Sequence, residues 1–117
     1  MGTELSCQLG NKAATLTGVG TTQSGAAVLT MVSADTGANA WNLQPNSGNT
    51  AYVMDAGAPV GYTFMAFNPQ STTALIYPES GGTIQGGSAN ASYSIGQNIT
   101  ALFWKLSALT WVAIKTT

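Results

Sequence analysis

The chain has 117 residues and seven charges: Lys12, Lys105 and Lys115 against Glu4, Asp35, Asp55 and Glu79, with no arginine, no histidine and a net charge of −1. A typical soluble domain is about one-quarter charged, so the surface must be built mainly from Ser, Thr, Asn, Gln and Gly. Three scattered lysines exclude neutralising a run of phosphates, and the lack of histidine excludes Ser–His–Asp or Cys–His catalysis and removes the commonest metal ligand.

The first dozen residues, 1–12, are polar and weakly patterned, with Leu5 and Leu9 as the sizeable apolar side chains past Met1. They read as an N-terminal arm, either a frayed terminus or a segment that orders on a neighbouring subunit or partner by adding a strand to an exposed edge. Strand signals then recur, each a short Val/Ile/Thr/aromatic run bounded by Gly, Pro, Asn or Ser. Ala13–Val19 comes first, and Gly20–Gly25 turns into Ala26–Val32. Ala40–Gln44 places Trp41 and Leu43 on one face, with Asn42 and Gln44 on the other. The turn Pro45-Asn46-Ser47-Gly48-Asn49 leads to Thr50–Met54, which Asp55–Gly61 ends. Gly61–Asn68 is apolar on both faces, the mark of a central strand. Thr73–Tyr77 follows the Asn68-Pro69-Gln70-Ser71 turn and stops at Pro78. Ala91–Ile95 alternates, with Ala91, Tyr93 and Ile95 inward, and Ile99–Leu106 and Leu109–Ile114 flank a tight connection at Ser107-Ala108.

Eight or nine strands at spacings of about 8–12 residues predict an all-β, antiparallel β-sandwich over 13–117, jelly-roll-like; immunoglobulin-like and up-and-down orders fit the same spacing. The 44% hydrophobic content is enough for a packed core. No apolar run approaches the ~20 residues of a membrane span, and the N-terminus lacks the basic-then-apolar order of a signal peptide. Synthesis in a cytoplasm, with no membrane or nucleic-acid partner, is the expectation. Cys7, alone, allows neither an intrachain disulfide nor a multi-cysteine metal site.

Chemistry has few carriers. The four carboxylates fall in turn-rich or terminal segments and read as solvated loop groups, without the dense Asp-x-Asp run of a calcium loop. Gly81-Gly82-Thr83-Ile84-Gln85-Gly86-Gly87 lacks the Gly-Lys-Ser/Thr ending of a phosphate loop and reads as a turning connection. Asn90-Ala91-Ser92 and Asn98-Ile99-Thr100 match the glycosylation pattern only as an Asn/Ser/Thr-rich chain does by chance. Trp41, Trp104 and Trp111, with Tyr52, Tyr62, Tyr77 and Tyr93, lie inside strand candidates; core filling or subunit contact outweighs sugar stacking there. No catalytic, cofactor or metal residues are assigned, and no cofactor is expected.

From Ala58-Pro59-Val60-Gly61-Tyr62 onward, through Phe67-Asn68, Ala74-Leu75-Ile76-Tyr77-Pro78-Glu79-Ser80-Gly81-Gly82-Thr83-Ile84, Gly87-Ser88-Ala89-Asn90-Ala91 and the Leu102-Phe103-Trp104 to Leu109-Thr110-Trp111 hairpin, the chain resembles a recurrent module of tailed-phage virion proteins. Thr21-Thr22-Gln23-Ser24-Gly25-Ala26 has the same cadence. Among free-standing chains of this length it looks most like a capsid decoration (cement) protein. That resemblance implies a non-enzymatic protein made in the host bacterial cytoplasm and resident on the capsid exterior. Its partners would be the major capsid protein and copies of itself, as a homotrimer or homodimer. Leu5, Leu9, Trp41, Trp104 and Trp111 are the candidate capsid or subunit contacts. A tail or tail-fibre module, with a glycan- or receptor-binding role, is the alternative; a tail-tube or connector component is a third.

Overall fold

The computed structural model describes residues 12–33 and 37–116. Most of the predicted arm, with Leu5 and Leu9, lies outside the described residues, as do Cys7 and Asp35. Among the described residues there are ten strands and no helix: β1 (Ala13–Thr17), β2 (Ala27–Leu29), β3 (Ala40–Gln44), β4 (Ala51–Met54), β5 (Thr63–Asn68), β6 (Ala74–Tyr77), β7 (Thr83–Ile84), β8 (Tyr93–Ile95), β9 (Ile99–Ser107) and β10 (Thr110–Lys115).

Their arrangement corrects the expected antiparallel, jelly-roll-like β-sandwich. The strands form a six-stranded sheet in the order β1-β3-β5-β9-β10-β7 and a four-stranded sheet in the order β2-β4-β6-β8. The chain steps from one sheet to the other with each of the first six strands. β1, β3 and β5 run parallel, as do β2, β4 and β6. Each circuit therefore lies beside the one before it, and the whole is a β-solenoid of about 4 turns. Ala13 pairs with Ala40, Ala40 with Met65, Ala27 with Tyr52 and Ala51 with Leu75, so a circuit takes 24–27 residues.

The expectation failed for a physical reason. In-and-out alternation is the usual signature of antiparallel sheets with one wet face, because most parallel sheets are covered on both. A solenoid is the exception: its parallel sheets enclose one core and leave both outer faces to solvent. The discriminating signal is recurrence one circuit apart, as in Gln44-Pro45-Asn46-Ser47 and Asn68-Pro69-Gln70-Ser71, each leading out of the six-stranded sheet.

The last circuit reverses and ends the parallel stack. β8 runs antiparallel to β6, and β9 antiparallel to β5 across six residue pairs. A hairpin at Ala108-Leu109, one residue beyond the expected place, brings β10 back beside β9. β7, inside the stretch expected to be only a turn, pairs in parallel with β10. Positive φ at Gly81 (84°) and Gly86 (73°) lets the chain bend sharply on either side of so short a strand.

The core lies between the sheets. On the inward side of the six-stranded sheet Trp41 sits in register between Ala14 and Ala66, and Ala66 beside Ala101, so small neighbours make room for the indole. Phe64 stacks on Phe103 with centroids 4.9 Å apart, and Trp111 meets Phe64 edge-on at 5.8 Å. Leu29, Tyr52, Met54, Ile76 and Ile95 close the core from the other sheet. Each such side chain contributes roughly 1.5–3 kcal/mol when fully buried.

Polar ties join successive circuits. The Tyr52 hydroxyl donates to the Leu16 carbonyl (2.9 Å) and accepts from the Gln44 amide (3.0 Å). Asn68, fully buried, donates from Nδ2 to the carbonyls of Thr72 (2.9 Å) and Ile95 (2.8 Å), while its Oδ1 accepts the Gln70 amide (2.8 Å). Gly18 runs so close to the Asn49 carbonyl that a Cβ there would collide with it.

Candidate interaction surface

Outward side chains of the six-stranded sheet fall into rows fixed by strand register. One row crosses five strands as Ala13, Ala40, Met65, Leu102 and Ile114. A second runs Thr15, Asn42, Phe67, Thr100, and a third Thr63, Trp104, Val112. Ile114 is 60% exposed, Phe67 37%, and Leu106, which continues β9, 57%. No charged residue belongs to these rows. Lys105 takes the inward phase of β9, and Lys115 reaches to the Ser94 carbonyl (2.9 Å) with its ammonium 4.8 Å from the Tyr93 ring centroid. A hollow of about 220 Å³ lies over Ala13 and Ala40, walled by Met65 and Phe67.

The candidate tryptophans separate. Trp104 is half-buried in the third row, facing outward. Trp41 and Trp111 are 7% and 1% exposed and belong to the core. The Trp41 Nε1 is buried with no hydrogen-bond partner among the described residues, a cost of about 1–3 kcal/mol that its packing must offset.

Of the carboxylates expected to be solvated, Glu79 is not. It is 7% exposed; Oε1 accepts from Trp111 Nε1 (2.8 Å) and Oε2 lies 3.0 Å from Lys105 Nζ. Lys105, 4% exposed, also donates to the Ala58 carbonyl (2.9 Å), with its ammonium 5.7 Å from the Trp111 ring centroid. The inward phase of β9, Ala101, Phe103, Lys105, is the sequence signal that marks this lysine as buried. Two of the seven charges are thus consumed inside the protein. Asp55 is also structural: Oδ2 accepts the Met31 amide (2.9 Å) and Oδ1 the Gly57 amide (2.8 Å).

A second depression, of about 540 Å³, lies over the four-stranded sheet, floored by Val28, Val53 and Met54 and edged by Gln23, Asp55 and Glu79. Its two carboxylates are engaged as just described. Among the described residues no three His, Cys, Asp or Glu side chains converge on a metal-sized site, and no helix is long and apolar enough to cross a membrane. Buried Tyr52 and half-buried Tyr62 act as ties between neighbouring segments. Burial pushes the Tyr52 hydroxyl up to about 12 against the lowering effect of the Gln44 amide. Burial also raises Tyr62, whose hydroxyl donates to the Ala38 carbonyl (3.2 Å) and accepts the Val32 amide (3.0 Å).

No protein-family model, curated protein or solved structure matches the chain.

Proposed function

We propose that this chain is a non-enzymatic assembly protein of a tailed-phage virion, a decoration protein that binds the outside of the shell and reinforces contacts between major capsid subunits. The observation that carries the assembly part is the outer face of the six-stranded sheet: apolar residues cross five strands in one row, with Phe67 and Trp104 beside it and no charge in any row. Such a face suits a protein surface, because apolar area contributes about 25 cal/mol per Å² before association costs and no side-chain charge must be desolvated. The virion setting comes from the resemblance of the Pro59–Trp111 stretch. Repetition of one contact over a shell converts weak individual affinities into strong occupancy.

The binding should depend little on ionic strength, since screening acts on charges the face lacks. Purified protein pelleted with undecorated shells of the phage that encodes it tests the reading. Saturable co-sedimentation, unchanged between low and high salt, is expected. Protein left in the supernatant at every concentration would overturn it, and binding to host-surface glycans instead of shells would select the tail-fibre alternative.

A further inference from the structure

We infer that two copies of this chain pair through the outer face of the six-stranded sheet, about a two-fold axis lying in the interface parallel to β5. The inference rests on the assembly reading and concerns the free protein, where a second copy covers the face that a shell subunit takes on the capsid, so the two compete for it. The five-strand row is graded in size: Ala13 and Ala40 on one side, Met65 in the middle, Leu102 and Ile114 on the other. The hollow of about 220 Å³ runs from Ala13 and Ala40 across Met65 and Phe67 to Thr100, and beyond its far wall stands a ridge on which Ile114 is 60% exposed. Small and large residues thus lie at equal strand steps on either side of β5, with the hollow reaching over the small ones' side of the row.

A two-fold axis along β5 sets each side against its complement, as an isologous contact requires. Ala13 then faces the partner's Ile114, Ala40 faces the partner's Leu102, and Met65 meets the partner's Met65. The second row obeys the same operation: Asn42 faces the partner's Thr100, polar against polar, and Phe67 meets the partner's Phe67. A face carrying charge would repel its own copy across such an axis; this one has none in its rows. Five strands about 4.8 Å apart and about five residues long give a footprint near 400 Å². With side-chain relief that corresponds to about 1,000 Å² of accessible surface for the pair, the lower bound of specific interfaces. A dimer with a micromolar dissociation constant is the expected result.

Sedimentation velocity between about 1 and about 500 µM brackets that constant. The wild-type protein should pass from monomer to dimer across the range. Met65→Glu and Met65→Lys each place like charges on the axis and should weaken pairing on the order of 100-fold. Their equimolar mixture should pair within about tenfold of wild type, because opposite charges then meet. Met65 is half-buried on the outer face of the monomer, outside the core, so thermal melting of both variants should stay close to wild type; Phe67→Glu and Phe67→Lys, at a more exposed position, give a second charge-swap pair if either fails to fold. A wild-type protein that stays monomeric, a Met65→Glu variant that pairs as wild type, or a mixture that stays monomeric would each overturn the inference. Shell binding by a strictly monomeric protein sinks the pairing alone, whereas dimers that ignore shells sink the virion setting alone.

Discussion

Replacing Lys105 with methionine should be the most damaging single conservative-volume change in the chain. The ammonium it removes is the cationic partner of Glu79 at 3.0 Å and a donor to the Ala58 carbonyl at 2.9 Å, both with little access to water. The substitution leaves a carboxylate 7% exposed, with Trp111 Nε1 as its remaining side-chain donor among the described residues. Breaking a buried pair from one side costs about 3–5 kcal/mol, a large part of the ~5–15 kcal/mol that holds a domain together. At roughly 4 °C per kcal/mol for a chain of this size, melting should fall by about 12–20 °C. Urea unfolding followed by tryptophan fluorescence measures the loss. The double variant Lys105→Met/Glu79→Gln neutralises the orphaned carboxylate and keeps an acceptor for Trp111, so it should recover to within about 2 kcal/mol of wild type. A loss of no more than about 1 kcal/mol for Lys105→Met, the scale of exposed pairs, or strict additivity in the double variant, would show that Glu79 does not depend on Lys105 for its charge balance.

Alkaline stability should report Tyr52. Its hydroxyl is raised to about 12 in the folded protein from 10.0, so the contribution is whole below pH 10 and is lost as pH rises from 10 toward 12, on the order of 2–3 kcal/mol at most. Tyr52→Phe should shrink the alkaline loss in a pH series of urea titrations, leaving the share of Tyr62 and Tyr93, whose hydroxyls burial also raises, while costing about 1 kcal/mol at neutral pH for the lost ties to Leu16 and Gln44. Asn68→Ala should cost about 2–4 kcal/mol, because three backbone partners lose their bonds at a fully buried site, and calorimetry reads it directly. Gly18→Ala should destabilise by about 1–3 kcal/mol through collision with the Asn49 carbonyl, seen as a lower urea midpoint.

Strand positions were legible because period-two alternation and turn residues act locally. β3 through β6 fall close to where Trp41, Tyr52, Phe64 and Ile76 alternate with outward neighbours. Strand order was not legible, because alternation fixes which side chain faces the core and says nothing of which strand lies beside it. The 24–27-residue circuit was present in the register of Ala40 with Met65 and Ala51 with Leu75, but these pairs differ in side-chain type. What recurs between them is size and facing rather than identity, so the repeat is faint. Trp104 was named in the sequence as a contact residue and lies on the open face, whereas Trp41 and Trp111 occupy inward phases. Glu79 escaped sequence reasoning because its burial depends on Lys105, 26 positions later, and on a strand pairing that sequence alone did not reveal.

Hydroxyl-radical footprinting tests the central claim, that assembly uses the outer face of the six-stranded sheet. Dilute monomer would be compared with protein assembled on shells. Strong protection on assembly is expected at Met65, Phe67, Leu102, Trp104 and Ile114, with Val28 and Val53 over the other sheet reacting as before. Equal reactivity of Met65 and Trp104 in both states, or protection confined to Val28 and Val53, would contradict it.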